Sequence, residues 1–285
     1  MKLDWHLTSR QAVRTALSLR HSARKTFAEP ISIYDFVESL NIELRFIDIP
    51  SMEGMYSKTG GPVILINSLR PPGRKAFTCA HELGHHVFHH GTRVDELGNG
   101  QPRRSPEEFL ADTFAGFLLM PKVAILREFG LRRWDVMVPA PQQAYTIAGC
   151  FGVGYGTLLF HMYRSLELIS ESTYEELSNV KLKEIRATLI GEECNESLLI
   201  VDELWTSRAI DVEIGDLILA PSTSEIEGKC LRYVMTIPKG VVFSATSQGI
   251  GRVEAGSWSA YVRVSRKEFV GRSIFRHLED PEDCE

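Results

Sequence analysis

The chain has 285 residues, of which 44% are hydrophobic and 24% are charged. This composition is typical of a folded globular protein and excludes a largely disordered chain. No run approaches the roughly 20 uninterrupted apolar residues of a membrane-spanning helix. Charge is uneven, with 18 Lys and Arg against 15 Asp and Glu in residues 1–150, but 14 against 22 in residues 151–285. The acidic second half disfavours a general nucleic-acid surface, which requires clustered cations.

The first part of the chain predicts helices followed by short strands. Helical spacing of apolar residues and a capping serine indicate the helices, and alternating or β-branched runs around glycines indicate the strands. We expect the strand at 64–67 to present an edge to which an extended peptide can add. The predicted elements are a helix over 4–28, a helix from Ser32 to about Asn41, a strand at 42–47, and a hairpin of 55–57 and 63–66.

Two further helices carry the clearest local signals. The helical period returns from Arg74 to about His90. The sequence Ser105-Pro106-Glu107-Glu108 combines a cap, a proline at the first helical position and acids in the first turn. That helix is expected to run to Met120. The polar, glycine-containing residues between the two helices, 91–105, predict a loop.

The second half of the chain predicts helices and then strands. Two short helices are expected at about 140–168 and a helical linker at 171–194. Beyond residue 195, short strand-like runs separated by glycine, proline and serine indicate a β-rich domain of unknown role. The acidic end, 278–285, predicts a solvated tail. The expected fold class is therefore α+β, with domains at 1–170 and 195–285 joined by the linker.

The N-terminal segment and the cysteines indicate the compartment. The N-terminus scatters its charges and lacks the compact apolar core of a secretory signal, so we expect a cytoplasmic protein. Five cysteines lie far apart and form no CxxC pair, which favours reduced thiols over a disulfide framework or a cysteine zinc site. A metal site would have to use histidine and carboxylate ligands.

His81 and His85 lie four residues apart on a predicted helix. Four residues turn an α-helix by about 400°, so both imidazoles leave one face and can reach one zinc at about 2.0–2.1 Å. Glu82, one step round the helix, can overhang the metal and carry a proton from an attacking water to a leaving amine. Chance occurrence of this pattern is rare in a chain of this length, which favours a metallopeptidase site over two surface histidines.

Two histidines leave a catalytic zinc short of one protein ligand. Glu108 is the leading candidate, because Asp112 lies four residues later on the same face and can accept a hydrogen bond from a ligand imidazole. Glu107 competes with it, but its face lacks the following acid. His89 continues the histidine stripe, yet on a straight helix it lies too far along to join both other histidines at one metal.

Several separated segments, in order, carry a family resemblance. They are Gly54-Met55-Tyr56, Ile64-Leu65-Ile66-Asn67, Arg74-x-x-Phe77-Thr78-x-Ala80-His81-Glu82-Leu83-Gly84-His85, Glu108-x-x-Ala111-Asp112-x-Phe114-Ala115, and Ile147-Ala148-x-x-Phe151-Gly152-Val153. Over roughly residues 10–170 the chain resembles the ImmA/IrrE family of metallopeptidases. The resemblance implies a zincin-like peptidase core, made of a small sheet and the active-site helix, followed by helix-turn-helix-like helices at about 140–168.

The same resemblance implies the site and the activity. His81, His85 and Glu108 would bind one Zn²⁺ per chain, Glu82 would be the general base, and Asp112 falls where the family has Asn or Asp. The implied protein is a zinc endopeptidase that cleaves a helix-turn-helix transcriptional repressor, or a similar regulator, by attack of zinc-activated hydroxide. It would act in transcription regulation and stress response. The sequence assigns no substrate-binding residue.

A second reading of the sequence is a regulatory interaction or DNA-binding protein with a structural or vestigial zinc site. A site that had lost its activity would normally lack a ligand or the base, and both are present here. The segment 140–168 is rich in apolar residues and poor in cations, so direct DNA binding is not expected. No membrane partner is expected either.

Overall fold

The computed structural model describes residues 5–96, 105–206 and 208–278, with backbone only at residues 5 and 93–96. Most of the predicted loop 91–105 and nearly all of the predicted acidic tail lie outside the described residues. The chain forms two compact units. The first comprises Met1–Glu128, Phe151–Gly154 and Val270–Ser273, and the second comprises Phe129–Cys150, Tyr155–Phe269 and Ile274–Glu285. The domain limits expected from the sequence stay a prediction.

The helices begin where local capping signals predict them. Ser32 and Ser105 cap the second and fourth helices, each accepting a hydrogen bond from the third helical amide. The first helix ends earlier than predicted, since Arg24 has a φ of 54°. The helices are α1 (Trp5–Ser22), α2 (Ile33–Ser39), α3 (Pro72–Val87), α4 (Pro106–Leu119), α5 (Lys122–Leu131), α6 (Pro141–Phe151), α7 (Tyr155–Phe160), α8 (Glu171–Ser178) and α9 (Leu182–Ile190).

The first unit contains a five-stranded mixed sheet. Its strands are β1 (Glu43–Ile47), β2 (Met52–Ser57), β3 (Val63–Asn67), β4 (Arg93–Glu96) and β13 (Gly271–Arg272). They lie in the order β13-β1-β3-β2-β4, in which β1 and β3 are parallel and the other neighbours antiparallel. The prediction that the strand at 64–67 is an edge is therefore wrong, because β3 pairs on both sides. Among the described strands, the edges are β13 and β4.

Helices cover this sheet and bury its apolar residues. Helix α3 contacts β2 and β3 and packs against α4, which in turn packs against α1. The core includes the fully buried side chains of Ile64, Ile66, Leu83, Phe114 and Leu118. Each such side chain contributes about 1.5–3 kcal/mol when it is removed from water. This packing holds α3 and α4 side by side.

Arg20, a buried arginine on α1, fixes the carboxyl end of α4. Its Nε donates to the carbonyl of Leu118 at 2.8 Å, and one terminal nitrogen donates to the carbonyls of Thr26 and Glu29. Burial lowers the pKa of Arg20 to about 10. The guanidinium thus satisfies carbonyls that a helix end leaves without a partner.

The second unit contains helices α6–α9 and two four-stranded sheets. Its strands are β5 (Leu198–Ile200), β6 (Ile210–Glu213), β7 (Leu217–Ala220), β8 (Glu225–Glu227), β9 (Leu231–Ile237), β10 (Gly240–Ala245), β11 (Gly249–Ala255) and β12 (Trp258–Ser265). The sheet orders are β5-β7-β10-β9 and β6-β12-β11-β8. Buried side chains from both sheets, including Val212, Ile218, Phe243, Val253 and Val262, form one core. The predicted α+β class and β-rich second half are confirmed.

One helical run in the described part of the chain, Pro106–Leu131, is long and apolar enough to cross a membrane by length and composition alone. It combines α4 and α5, which are separate helices. In the structure 61% of its most apolar stretch is buried, and core helices of globular proteins can be equally long and apolar. The run is therefore weak evidence for a membrane span.

Candidate metal centre

Helix α3 presents two histidines and a glutamate in the interior of the first unit. His85 and Glu82 are fully buried, and His81 is 6% exposed. The helix approaches α4 closely at Gly84, where a Cβ would lie only 3.1 Å from Ala111 Cα and from a ring atom of Phe114. The absence of a side chain at Gly84 therefore lets α4 bring its own side chains to the two histidines.

The three predicted ligands converge on one point. His81 Nε2 lies 2.9 Å from His85 Nε2 and 3.2 Å from Glu108 Oε2, and His85 Nε2 lies 3.5 Å from Glu108 Oε1. A tetrahedral zinc with bonds of about 2.0–2.1 Å holds its ligand atoms about 3.3 Å apart. Among the described residues this is the cluster able to hold a metal ion. Two imidazole nitrogens and a carboxylate are the donor set of a catalytic zinc, so the residues fit that ion.

The start of α4 positions Glu108. Ser105 Oγ accepts a hydrogen bond from the Glu108 amide at 3.2 Å, which fixes the backbone of the ligand itself. The side-chain bonds to His81 and His85 outweigh burial and hold the pKa of the Glu108 carboxyl well below its usual range. The carboxylate is therefore ionised, as a metal ligand must be.

Asp112 sets the tautomer of His81. Its Oδ1 lies 2.8 Å from His81 Nδ1, so the Nδ1–H donates to the carboxylate and Nε2 is directed at His85 and Glu108. Burial alone would lower the pKa of His81. The hydrogen bonds with Asp112 and Glu108 raise it by more than burial lowers it, so the pKa of His81 lies well above its usual value. A carboxylate in this place orients the ring and raises its basicity toward a metal.

Glu82 lies beneath a position on β2 that has no side chain. A Cβ on Gly54 would lie 2.7 Å from Glu82 Oε1 and 2.5 Å from Thr78 Cγ2. The negative charge of Glu82 also contributes to raising the pKa of His81, which places it beside the ligand cluster. The predicted base thus occupies the space that a side chain at position 54 would fill.

The histidines that follow α3 contact different partners. His89, weighed from the sequence as a ligand, is exposed and has a φ of 58°, so it does not continue the helix. His90 Nδ1 lies 2.8 Å from His85 Nδ1, a contact that helical spacing does not reveal. His86 Nδ1 lies 2.8 Å from the hydroxyl of buried Tyr56. Burial, aided by the charges of His89 and Lys58, lowers the pKa of His86.

Comparison with protein families agrees with this geometry. Residues 37–163 match the peptidase family described as the IrrE N-terminal-like domain. This segment is an IrrE N-terminal-like domain. The resemblance predicted from the sequence is therefore confirmed for a stretch that contains all the candidate ligands. Membership suggests a metallopeptidase, and the matched residues contain β1 to β4 of the sheet together with α3 and α4.

Comparisons with curated proteins and with a solved structure give no close match to the chain. No curated protein matches the chain significantly. A solved structure described as a Mycobacterium tuberculosis transcriptional regulator is similar to it at 18% identity, with a TM-score of 0.36. The match covers 55% of this chain and 46% of that one, so this chain spans less than half of the solved protein's length. A likeness at this level carries no argument about function.

Proposed function

We propose that this protein is a zinc-dependent endopeptidase whose active site is the IrrE N-terminal-like domain. The observation that carries the proposal is the convergence of His81, His85 and Glu108, whose ligand atoms lie within 4.8 Å of one another. The buried carboxylate of Glu82 beside this cluster supports a catalytic over a structural site. A structural zinc has four protein ligands, whereas three leave room for substrate.

Each side chain of the site has a distinct task. When bound, zinc acts as a Lewis acid that polarises a peptide carbonyl and lowers the pKa of water. His81 and His85 direct Nε2 inward, and Asp112 holds the ring of His81 in the required tautomer. Glu82 accepts a proton at its carboxylate from the attacking water and delivers it to the leaving amine. Burial of Glu82 keeps bulk water away from this transfer.

An extended peptide is the substrate that best suits the sheet. We place it along β4, because β4 is an edge among the described strands and pairs with β2, the strand that carries Gly54 over Glu82. Backbone pairing at an edge gives affinity with little demand on sequence. This placement replaces the one at β3 expected from the sequence.

The substrate is proposed to be a helix-turn-helix transcriptional repressor, or a similar regulator, in the cytoplasm. The family resemblance of the first 170 residues supports this choice. Residues 141–163 fold as α6, α7 and the first residues of the π-helical segment His161–Ser165, and they contain no lysine or arginine. Cleavage of the regulator therefore accounts for a role in transcription better than DNA binding does.

Metal content of purified variants tests the site. We expect about one zinc per chain in the wild type and in Glu82→Gln, because the base is not a ligand. Glu108→Ala should lose the metal, whereas Glu107→Ala should keep it, since the carboxylate oxygens of Glu108 lie 3.2 Å from His81 Nε2 and 3.5 Å from His85 Nε2. The measurement is plasma mass spectrometry after zinc reconstitution and removal of excess metal.

Cleavage is then tested with Glu82→Gln as a substrate trap. Candidate helix-turn-helix regulators are incubated with the wild type and with this variant, and products are mapped by mass spectrometry. The wild type should cut a regulator that Glu82→Gln binds but leaves intact. If the wild type takes up no zinc, the proposal of an enzyme is overturned and the alternative of a regulatory interaction protein takes its place. Equal cleavage by both proteins would remove Glu82 from the mechanism.

A further inference from the structure

The ring of His85 has a partner on each nitrogen. Its Nε2 faces His81 and Glu108, and its Nδ1 lies 2.8 Å from the Nδ1 of His90. The two rings meet edge to face, with centroids 5.0 Å apart. A hydrogen bond between two ring nitrogens requires one to donate and the other to accept. If Nε2 of His85 is to offer a lone pair to a metal, Nδ1 of His85 must carry the proton and His90 must accept it.

The turn after α3 holds His90 in place. The helix ends at Val87, His89 takes a left-handed backbone conformation, and the amide of His90 donates to the carbonyl of His85 at 3.1 Å. The ring of Phe88 stacks on that of His90 with centroids 5.7 Å apart. The imidazole of His90 is thus directed back at His85 by both the backbone and a neighbouring ring.

We propose that His90 is a positioning residue of the metal centre, which fixes the tautomer and orientation of His85 by accepting its Nδ1–H. The inference rests on the proposed function and assigns His90 the task that Asp112 has toward His81. The centre already contains the carboxyl groups of Glu82, Glu108 and Asp112. A neutral acceptor beside fully buried His85 orients the ring without adding another negative charge to a buried site that already holds three carboxyl groups.

The zinc dissociation constant of the full chain tests the role. It is measured by competition with a chromophoric chelator for the wild type, His90→Leu, His90→Asn and His89→Asn. We expect His90→Leu to weaken zinc binding about 10- to 100-fold, the usual effect of losing such a partner. His90→Asn should retain most of the affinity, because its amide oxygen can replace Nδ1 as the acceptor. His89→Asn is the matched control, since it removes an exposed neighbouring histidine and keeps a residue that tolerates the left-handed conformation.

A second readout follows the tautomer of His85 directly. In ¹⁵N-labelled, zinc-loaded protein, the Nδ1–H proton of His85 should exchange slowly in the wild type and in His90→Asn, and rapidly in His90→Leu. If His90→Leu does not fold, His90→Lys replaces it, because lysine is polar but cannot accept a hydrogen bond. Wild-type affinity in the variants that lack an acceptor would overturn the role of His90 and leave the proposed function standing. A wild type without zinc would overturn both.

Discussion

Gly54 determines where the carboxylate of Glu82 can lie. A Cβ at this position would come within 2.7 Å of Glu82 Oε1 and 2.5 Å of Thr78 Cγ2, so an added side chain must displace one or both of them. We expect Gly54→Ala to displace Glu82 while the three ligands stay in place. Zinc content should remain at the wild-type level and cleavage should fall about 100-fold, as expected when a catalytic group moves by about 1 Å.

The control for this substitution is Gly130→Ala on α5, where an added Cβ has no atom within 4 Å in the described structure. It should leave cleavage unchanged. Loss of zinc from Gly54→Ala would mean that the strand positions the ligands instead of the base. Wild-type cleavage in Gly54→Ala would show that Glu82 can act from a different position.

His277, in the second unit, makes folding sensitive to acid. Burial and the positive charge of Arg276 lower its pKa from 6.5 to about 4. As the pH falls below 6.5 the unfolded chain takes up a proton that the folded protein binds only near pH 4, so stability falls across that window. The loss between pH 7 and 4.5 should be about 2–3 kcal/mol.

Urea unfolding of metal-free wild type and His277→Gln at these two pH values measures the effect. Glutamine does not titrate, so the variant should lose less stability on acidification than the wild type does. The same loss in both proteins would assign the pH dependence to groups other than His277.

At the scale of the element, the cap of α4 also belongs to the candidate metal site. Ser105 accepts from the amide of Glu108, so the residue that starts the helix also orients the ligand. Ser105→Ala should cost about 1 kcal/mol of stability and also weaken zinc binding. Ser170→Ala provides a close control, because Ser170 caps α8 with the same 3.2 Å distance to the Thr173 amide, and α8 carries none of the candidate ligands.

Stability is measured by urea unfolding and affinity by chelator competition. Both serine variants should lose similar stability, but only Ser105→Ala should bind zinc more weakly. If the two variants bound zinc equally well, the position of Glu108 would depend on the packing of α4 against α3 and not on its cap.

Local signals account for what the sequence predicted of these elements. The caps at Ser32 and Ser105 act within one turn, and the 3.6-residue period alone places His81 and His85 on one face of the helix. The early end of α1 could not be predicted, because the left-handed residue Arg24 has no characteristic sequence signal. Contacts made by residues beyond a helix end, such as that of His90 with His85, depend on the conformation of the turn. The helical period therefore cannot predict them either.

The features that the sequence did not predict depend on contacts between residues far apart in the chain. Strand β4 lies in a polar segment that predicts a loop, and its pairing with β2 comes from the sheet and not from an alternating pattern. The two residues of β13 are too few to show any period. The carboxylate of Glu82 beneath Gly54 also needed the fold, since the two residues are on different elements.

At the scale of the whole molecule, β13 adds a segment from near the end of the described chain to a sheet that is otherwise formed by residues 43–96. Arg45 and Phe46 of β1 pair with Arg272 and Gly271 of β13, which belongs to the first unit. Without β13, β1 becomes an unprotected edge. We therefore expect a chain ending at residue 268 to exchange the β1 amide protons faster than a chain ending at residue 278, which keeps β13.

Hydrogen exchange read by mass spectrometry on peptides that cover β1 provides the measurement. Peptides covering α4 serve as an internal reference, because α4 packs mainly against α1 and α3 whereas β13 packs mainly against β1. Equal protection of β1 in both chains would show that the sheet is complete without its last strand.

The placement of β13 also orders events during synthesis. During translation His81, His85 and Glu108 are synthesised long before residue 271, so the nascent IrrE N-terminal-like domain contains its candidate ligands while β1 still lacks its partner β13. The sheet of the first unit is complete only when nearly the whole described chain has been synthesised, and a message truncated within the β-rich region encodes a protein that has the candidate site residues but lacks the last strand of that sheet.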